Sequence, residues 1–344
     1  MRDPRHVVSY ADAGVDLDMA EALTARLKSV VDSTRTEGAG GEFGAFGGRF
    51  RVDGATDLVA SADGVGTKVL VAAAAGVHDT VGEDLVNHCT NDILAEGAEP
   101  LFFLDYFACG RLDPDVAESV IRGVARGCRS NGCALLGGET AEMPGVYEPG
   151  TYDLAGFIVG RRIWELPPKS AVRPGLALIG FPSTGLHTNG YSLARRVLFD
   201  ELGLSPADPF PETEATVAQV LLRVHRSYLD ALRPALDGDA VVAIAHITGG
   251  GIPGNLRRVL PDDVTAVVDA TGWDPPVEFE VLGRESGLPR HELFAALNMG
   301  VGLIVVAAEG REQDVIASAA SGGLAAFECG RVKSGTGHVR LDGI

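Results

Sequence analysis

The sequence predicts an α/β protein of two domains, and three observations carry that expectation. The chain has 344 residues, more than one hydrophobic core usually organises. Apolar strand-like runs end again and again in glycine turns that open helix-like segments. The proline pair in Leu166-Pro167-Pro168-Lys169-Ser170 separates two series of such units, which places the domains at 1–168 and 169–344.

In chain order, Met19 to Val31 reads as a helix with Leu23, Leu27, Val30 and Val31 apolar and Lys28 on another face. The glycine-rich stretch from Gly38 to Gly48 reads as a mobile loop, either a plain arm or a lid that orders on a ligand. A strand near 57–62 enters Asp63-Gly64-Val65-Gly66-Thr67-Lys68, and a small-residue helix follows. Gly82 to Ala98 reads as a helix that stops at Gly97. Pro100 to Phe107 reads as a buried strand. The next helix has Asp113 to cap it and Pro114 in its first turn. Ala134-Leu135-Leu136 reads as a short strand leading into Gly137-Gly138-Glu139-Thr140-Ala141-Glu142, and a strand near 153–160 closes the first half.

The second half repeats the pattern. Leu176 to Phe181 reads as a strand, and the loop from Pro182 to Ser192 opens a helix through Leu202. A long amphipathic helix is expected over roughly 213–236. The strand Val241 to Ile247 runs into Thr248-Gly249-Gly250-Gly251 and a helix through Leu260. Further strands are expected at Thr265 to Asp269, Val301 to Ala307 and Ala325 to Arg331.

Composition bounds the function. With 46% hydrophobic and 22% charged residues the chain is of ordinary globular type. A formal charge of −18 disfavours nucleic acid and anionic membrane surfaces as partners, though one small phosphorylated ligand needs only a few local cations. No apolar run reaches membrane-spanning length and nothing reads as a signal peptide, so a cytoplasmic protein is expected. The five cysteines are scattered and odd in number, which reads as free thiols.

Asp63 to Lys68 is the stretch on which the chemistry turns. A strand-to-helix glycine turn exposes backbone N–H groups at a helix N-terminus, where phosphate can sit. Asp63 adds a hard oxygen for magnesium and Lys68 a cation for phosphate. The word is not a P-loop, which has four residues between its first glycine and Gly-Lys, and alone it is equally a structural turn. Asn91-Asp92 and Gly137-Gly138-Glu139-Thr140 add two further acidic words, and Asp63, Asp92 and Glu139 together offer the oxygens of a magnesium–triphosphate site. In the second half, His187, Asn189 and Ser192 stand at a helix start, and His246 precedes Thr248, Gly249 and Gly250. These read either as an anion site with proton-shuttling histidines or as a capped helix and a tight turn.

Taken together and in order, the words Ser9-Tyr10-Ala11-Asp12-Ala13-Gly14-Val15-Asp16, Asp63 to Lys68, Asn91-Asp92-Ile93, Gly97 to Tyr106, Gly137 to Gly145, His187 to Leu193 and His246 to Gly251 resemble the phosphoribosylformylglycinamidine cyclo-ligase family, over nearly the whole chain. The resemblance implies two α/β domains of the aminoimidazole ribonucleotide synthetase type, with N-terminal sheets pairing across a homodimer. It implies ATP-dependent closure of the imidazole ring of formylglycinamidine ribonucleotide, with magnesium as cofactor and potassium as a further candidate. The formamide oxygen is phosphorylated, a nitrogen of the same molecule attacks the activated carbon, and phosphate leaves. Carried onto this chain, Asp63, Gly64, Gly66, Thr67, Lys68, Asn91, Asp92, Gly137, Gly138, Glu139 and Thr140 bind ATP. Asp63, Asp92 and Glu139 hold metal, and Lys28 with the glycine-rich arm closes over them. His187, Asn189, Ser192, Thr248, Gly249 and Gly250 face the substrate. Lys28, Asp63, Lys68, His187 and His246 are the expected catalytic set.

Two positions depart from the family pattern. Ala295, in Phe294-Ala295-Ala296-Leu297-Asn298, stands where an arginine is usual, so Arg284 or Arg290 is expected to compensate; Glu42 stands where glycine is common. Related ATP-using families fit less well. Selenophosphate synthetase wants a reactive cysteine near the N-terminus and the hydrogenase-maturation relative a C-terminal cysteine, and thiamine-monophosphate kinase does not carry this pair of loop words. A binding protein that has lost catalysis is the reading of another class, and Ala295 is its support.

Overall fold

The computed structural model describes residues 17–344; the Ser9 to Asp16 word lies outside the described residues. Two six-stranded sheets organise the chain.

The first sheet runs β1 (Ala39–Gly40), β2 (Gly48–Arg51), β3 (Asp57–Gly64), β6 (Tyr152–Arg162), β4 (Ala98–Cys109), β5 (Ala134–Glu142). The β4–β5 pair is parallel, and α4 (Pro114–Ser130) makes the crossover between its strands. Asp113 caps α4 by accepting from the Asp115 and Val116 N–H groups. One face of the sheet is covered by α3 (Asp79–Ala95), in which every residue from Val81 to Ala95 except Glu83 is buried. The helices α3 and α4 touch closely because Gly82 and Gly123 face each other's helix; a Cβ on Gly123 would stand 1.9 Å from the Asp79 carbonyl.

Among the described residues, the second face of this sheet is left open. Ala62, Phe157 and Leu104 form one row across it, and Gly64, Ala155, Tyr106 and Glu139 the next. Phe157 is 41% exposed and Tyr106 37%. Helix α1 (Leu17–Asp32) is amphipathic as expected, yet Leu23, Leu27, Val30 and Val31 are all exposed.

The second sheet runs β12 (His338–Asp342), β9 (Val264–Asp269), β11 (Phe327–Ser334), β7 (Ala177–Pro182), β10 (Val301–Ala307), β8 (Val241–His246). It is antiparallel except for the parallel β12–β9 pair. Strands β7 and β10 are central and almost wholly buried, and their sequences are continuous apolar runs, as two covered faces demand.

Several sequence expectations change. The stretch Gly38 to Gly48 is not all loop, since β1 and β2 lie at its two ends. The word Gly137 to Glu142 does not follow a strand; it is the outer half of edge strand β5. The long helix over 213–236 is instead α6 (Val217–Leu221) and α7 (Leu229–Asp237), with an irregular segment between them. That break lets the carbonyls of Arg223, His225 and Arg226 turn toward the first domain. Arg223 O meets Lys68, His225 O meets Asn87, and Arg226 O meets Asn91. Apolar periodicity shows which face is buried, but not that a polar partner will capture the backbone. The expected helix through Leu202 is α5 (Tyr191–Arg195) continued by a π-helical turn, Arg196–Glu201.

Candidate active site between the two domains

Helix α3 builds the site. Its apolar residues face the first sheet, and Asp84, Asn87, His88, Asn91 and Asp92 form a polar stripe toward the second domain. All five are buried, so each must find a partner.

His88 lies between two carboxylates. Its Nε2 is 2.8 Å from Asp63 Oδ2 and 3.7 Å from Asp92 Oδ2. Its Nδ1 is 2.7 Å from Thr188 Oγ1, across the domain boundary. Thr188 in turn is 3.3 Å from His225 Nδ1, His225 Nε2 is 3.1 Å from His246 Nε2, and His246 Nδ1 is 2.8 Å from Asp92 Oδ1. His187 stacks on His225 with ring centroids 4.0 Å apart. The result is a buried ring of polar contacts that joins the first domain to the second.

Burial opposes charge throughout this cluster, and only a close carboxylate reverses it. Burial alone would lower His88, but Asp63 and Asp92 bring it up to about 9. Asp63 is affected the other way: burial would raise it, and the His88 cation brings it down to about 2. His187 and His225 have no carboxylate of their own and are held well below the usual histidine range by burial and by neighbouring positive groups. His246 is also lowered by burial, although Asp92 resists. Asp63, with 44% of its side chain exposed, is the member that meets solvent; the His88 side chain is 4% exposed and that of His246 0%.

The glycine turn forms as expected. Gly66 has φ of 56°, which an L-residue adopts only with strain, and Thr67 precedes α2 (Lys68–Ala75). Thr67 Oγ1 is 3.2 Å from Ser192 Oγ, so this turn meets the expected substrate-side loop. Asn189 and Gly249 also meet, since a Cβ on Gly249 would stand 3.2 Å from Asn189 Oδ1. Gly250, with φ of 90°, precedes α8 (Gly251–Arg257), and Asn255 Nδ2 donates to the carbonyls of Thr248 and Gly249 to hold the turn.

Other expected residues lie elsewhere. Lys68 does not reach toward a ligand: its Nζ is 2.7 Å from Asp84 Oδ2 and donates to the His187 and Arg223 carbonyls. All three ammonium donors are thereby taken. The Asn91 amide is likewise turned inward, to Arg226 O and the Tyr228 N–H. His187 Nε2 accepts from the Thr184 N–H. Lys28 pairs with Asp32 on its own helix. Glu139 stands in the row of Gly64 three strands away, about 14 Å at ordinary strand spacing, and on the open face. Asp63 is one residue out of that row and so points to the α3 face. The chain itself therefore unites Asp63 with Asp92 but not with Glu139, Gly137, Gly138 or Thr140. Arg284 is paired with Glu212 and Glu285, and Arg290 lies over Phe294, so neither is shown covering for Ala295.

Sequence reasoning missed Asp84, His88, Thr188 and His225. For the first two a signal existed, because positions 84, 87, 88, 91 and 92 share one side of an otherwise apolar helix. Among the described residues, His88, Asp92 and His246 are the one group of side chains close enough to share a metal ion, within 4.8 Å of one another. Two imidazoles and a carboxylate suit a borderline metal better than magnesium. Asp63, an exposed acceptor-only carboxylate, has the chemistry magnesium prefers.

Comparisons with known proteins agree with this architecture. The family model described as AIR synthase related protein, N-terminal domain, matches residues 44–162, and its C-terminal counterpart matches 173–342. Phosphoribosylformylglycinamidine cyclo-ligase of Sorangium cellulosum is 48% identical over 95% of this chain and 96% of its own. That of Myxococcus xanthus is 48% identical over 96% and 97%. Among solved structures, thiamine monophosphate kinase of Aquifex aeolicus superposes with a TM-score of 0.61 at 17% identity, covering 96% of this chain and 98% of that one. Hydrogenase maturation protein HypE in complex with ATP gives 0.59 at 20%, covering 85% and 84%. Those two show a shared fold. Matched in both domains and nearly half identical to its relatives from end to end, the chain belongs to the phosphoribosylformylglycinamidine cyclo-ligase family.

Proposed function

We propose that Asp63 is the cleft-facing carboxylate around which this chain performs its family's reaction. That reaction is the ATP-dependent ring closure of formylglycinamidine ribonucleotide to aminoimidazole ribonucleotide, ADP and phosphate, in purine biosynthesis. The observation that carries the proposal for Asp63 is its setting: part-exposed beside the glycine turn and held ionised, down to about 2, by a buried histidine.

Each group then has a defined task. Asp63, with Asp92 behind it, would hold magnesium, which when bound would supply charge neutralisation for the phosphates. Gly64, Gly66 and Thr67 present backbone to the nucleotide, and Asn189, Ser192 and Gly249 border the substrate. His88 keeps Asp63 ionised and oriented. Lys68 and Asn91 serve by fixing the second domain against the first. The chain's contribution to ring closure is chiefly positional, because both reacting groups belong to one molecule. The domains divide at 168/169.

A homodimer is the assembly that fits the open face of the first sheet. Phe157, Tyr106 and Leu104 would be covered by a second copy, and Glu139 on the same face would take part in a site only within that pair.

The test is direct. The purified chain is incubated with formylglycinamidine ribonucleotide, ATP and magnesium, and aminoimidazole ribonucleotide and ADP are measured. ATP binding without product would favour the non-catalytic reading and overturn this one.

A further inference from the structure

A cavity lies between the domains, at the C-terminal end of α3, and its lining is electrically unlike the rest of the chain. It encloses about 500 Å³, within the ordinary range for small-molecule sites. The whole chain carries 29 basic and 47 acidic residues, yet this cavity is lined by four cations, Arg49, Arg162, Lys169 and Arg258, against Glu42 and Glu96.

These arginines are also poorly paired. Elsewhere arginines reach carboxylates closely, as in Arg51–Asp57 at 2.6 Å, Arg223–Glu278 at 2.7 Å and Arg233–Glu99 at 2.9 Å. Arg49 comes only to 3.7 Å from Glu96, and Arg162 only to 3.9 Å from Asp57, both of whose oxygens Arg51 already holds. The Nε atoms of Arg49 and Arg162 are buried with no hydrogen-bond partner. Arg258 donates to the carbonyls of Gly44 and Ala45 and to Asn255 Oδ1, and stacks over Phe46 at 3.7 Å. Buried donors without partners are costly and rare, and two of them on neighbouring guanidinium groups leave this end of the cavity short of negative charge.

We propose that this cavity binds a phosphate monoester with a small apolar body. The guanidinium forks of Arg49 and Arg162 and the Lys169 ammonium meet the phosphate, and Val242, Ile244 and Leu166 receive the organic part. The lining comes from β2 and β6 of the first domain, from the linker, and from β8 and α8 of the second. Its occupant therefore clamps the two domains together. Glu96 lies one helical turn beyond Asp92, so the clamp acts on the same helix that carries the catalytic carboxylate. Asp63 does not line this cavity, and the proposal does not depend on the assignments made there.

The test uses the full chain at low salt, with phenyl phosphate and inorganic phosphate as calorimetric probes. Saturable binding is expected, tighter for phenyl phosphate than for inorganic phosphate. Arg162→Gln and Lys169→Gln should each weaken it about tenfold, and Asp63→Asn should leave it within about twofold. Absence of saturable binding, unchanged affinity in the two cavity variants, or loss in Asp63→Asn would each overturn the proposal. A second measurement needs no variant: phenyl phosphate should protect Lys169, which is exposed on the linker, from amine acylation read by mass spectrometry. Equal labelling with and without it would also overturn the proposal.

Discussion

Lys68 and Asp84 face each other at 2.7 Å with neither side chain exposed to solvent. Burial, the largest influence on each, pushes Lys68 down and Asp84 up to about 6, and the opposite charge of the partner resists both shifts. Removing one partner strands the other. Lys68→Met should cost about 3–5 kcal/mol in urea unfolding, and adding Asp84→Leu should restore a good part of it. If Lys68→Met unfolds like the parent and loses only turnover, the lysine is a phosphate ligand after all.

The Asp63–His88 pair makes stability depend on pH from both sides. Asp63 is depressed from 3.8 to about 2, so its contribution is present above 3.8 and is lost as pH falls through about 2. His88 is raised from 6.5 to about 9, so its contribution is full below 6.5 and is lost as pH rises through about 9. The melting temperature of the parent should exceed that of His88→Gln near pH 6, and the gap should close toward about pH 10. A gap that is constant across this range would show that the imidazole is neutral.

Asp63→Asn keeps the side chain's shape and removes its charge. Turnover should fall by at least about a hundredfold, the scale of a lost charge-stabilising group. Stability near pH 6 should fall as well, because the buried His88 loses the carboxylate that sustains its charge. Near-normal turnover would move the metal site elsewhere.

Phe157 lies at the middle of the open face of the first sheet. Phe157→Asp should convert a dimer to a monomer in light scattering, with the fold of each copy retained. A parent that is monomeric at assay concentration would refute the pairing of these faces.

Gly123 allows α3 and α4 to touch. Alanine there would add helix propensity of about 1 kcal/mol. The added Cβ would also stand 1.9 Å from the Asp79 carbonyl, so the helices must separate. The clash should win, with a net loss of about 1–3 kcal/mol in chemical denaturation. The same change at Gly132, which has nothing within 4 Å but a φ of 69°, isolates the backbone cost.

What could be read from the sequence was mostly local. Asp113 and Pro114 mark a helix start because capping is a matter of neighbouring residues. β7 and β10 were found because strands covered on both faces need unbroken apolar runs. The glycine turn at Asp63 was visible for the same reason. Failures arose where distant residues decide. Lys68 resembled a phosphate ligand until Asp84, a helix away, was seen to claim it. Glu139 lies on the face opposite Asp63 within this chain, and word order says nothing about which face of a sheet a residue takes. His225 sat inside an expected helix that three side chains on α3 dismantle by binding its backbone.

That dismantled helix also governs how the gene can be cut. The first domain grips main-chain atoms of Arg223, His225 and Arg226 through Lys68, Asn87, Asn91 and Asp84, beside the side-chain contacts His88–Thr188 and His246–Asp92. Severing the chain at Pro167 would leave those four polar groups facing water on one fragment, and three carbonyls with the His225 N–H on the other. Neither fragment should express well alone. Produced together, the halves carry complementary seams and should reassemble.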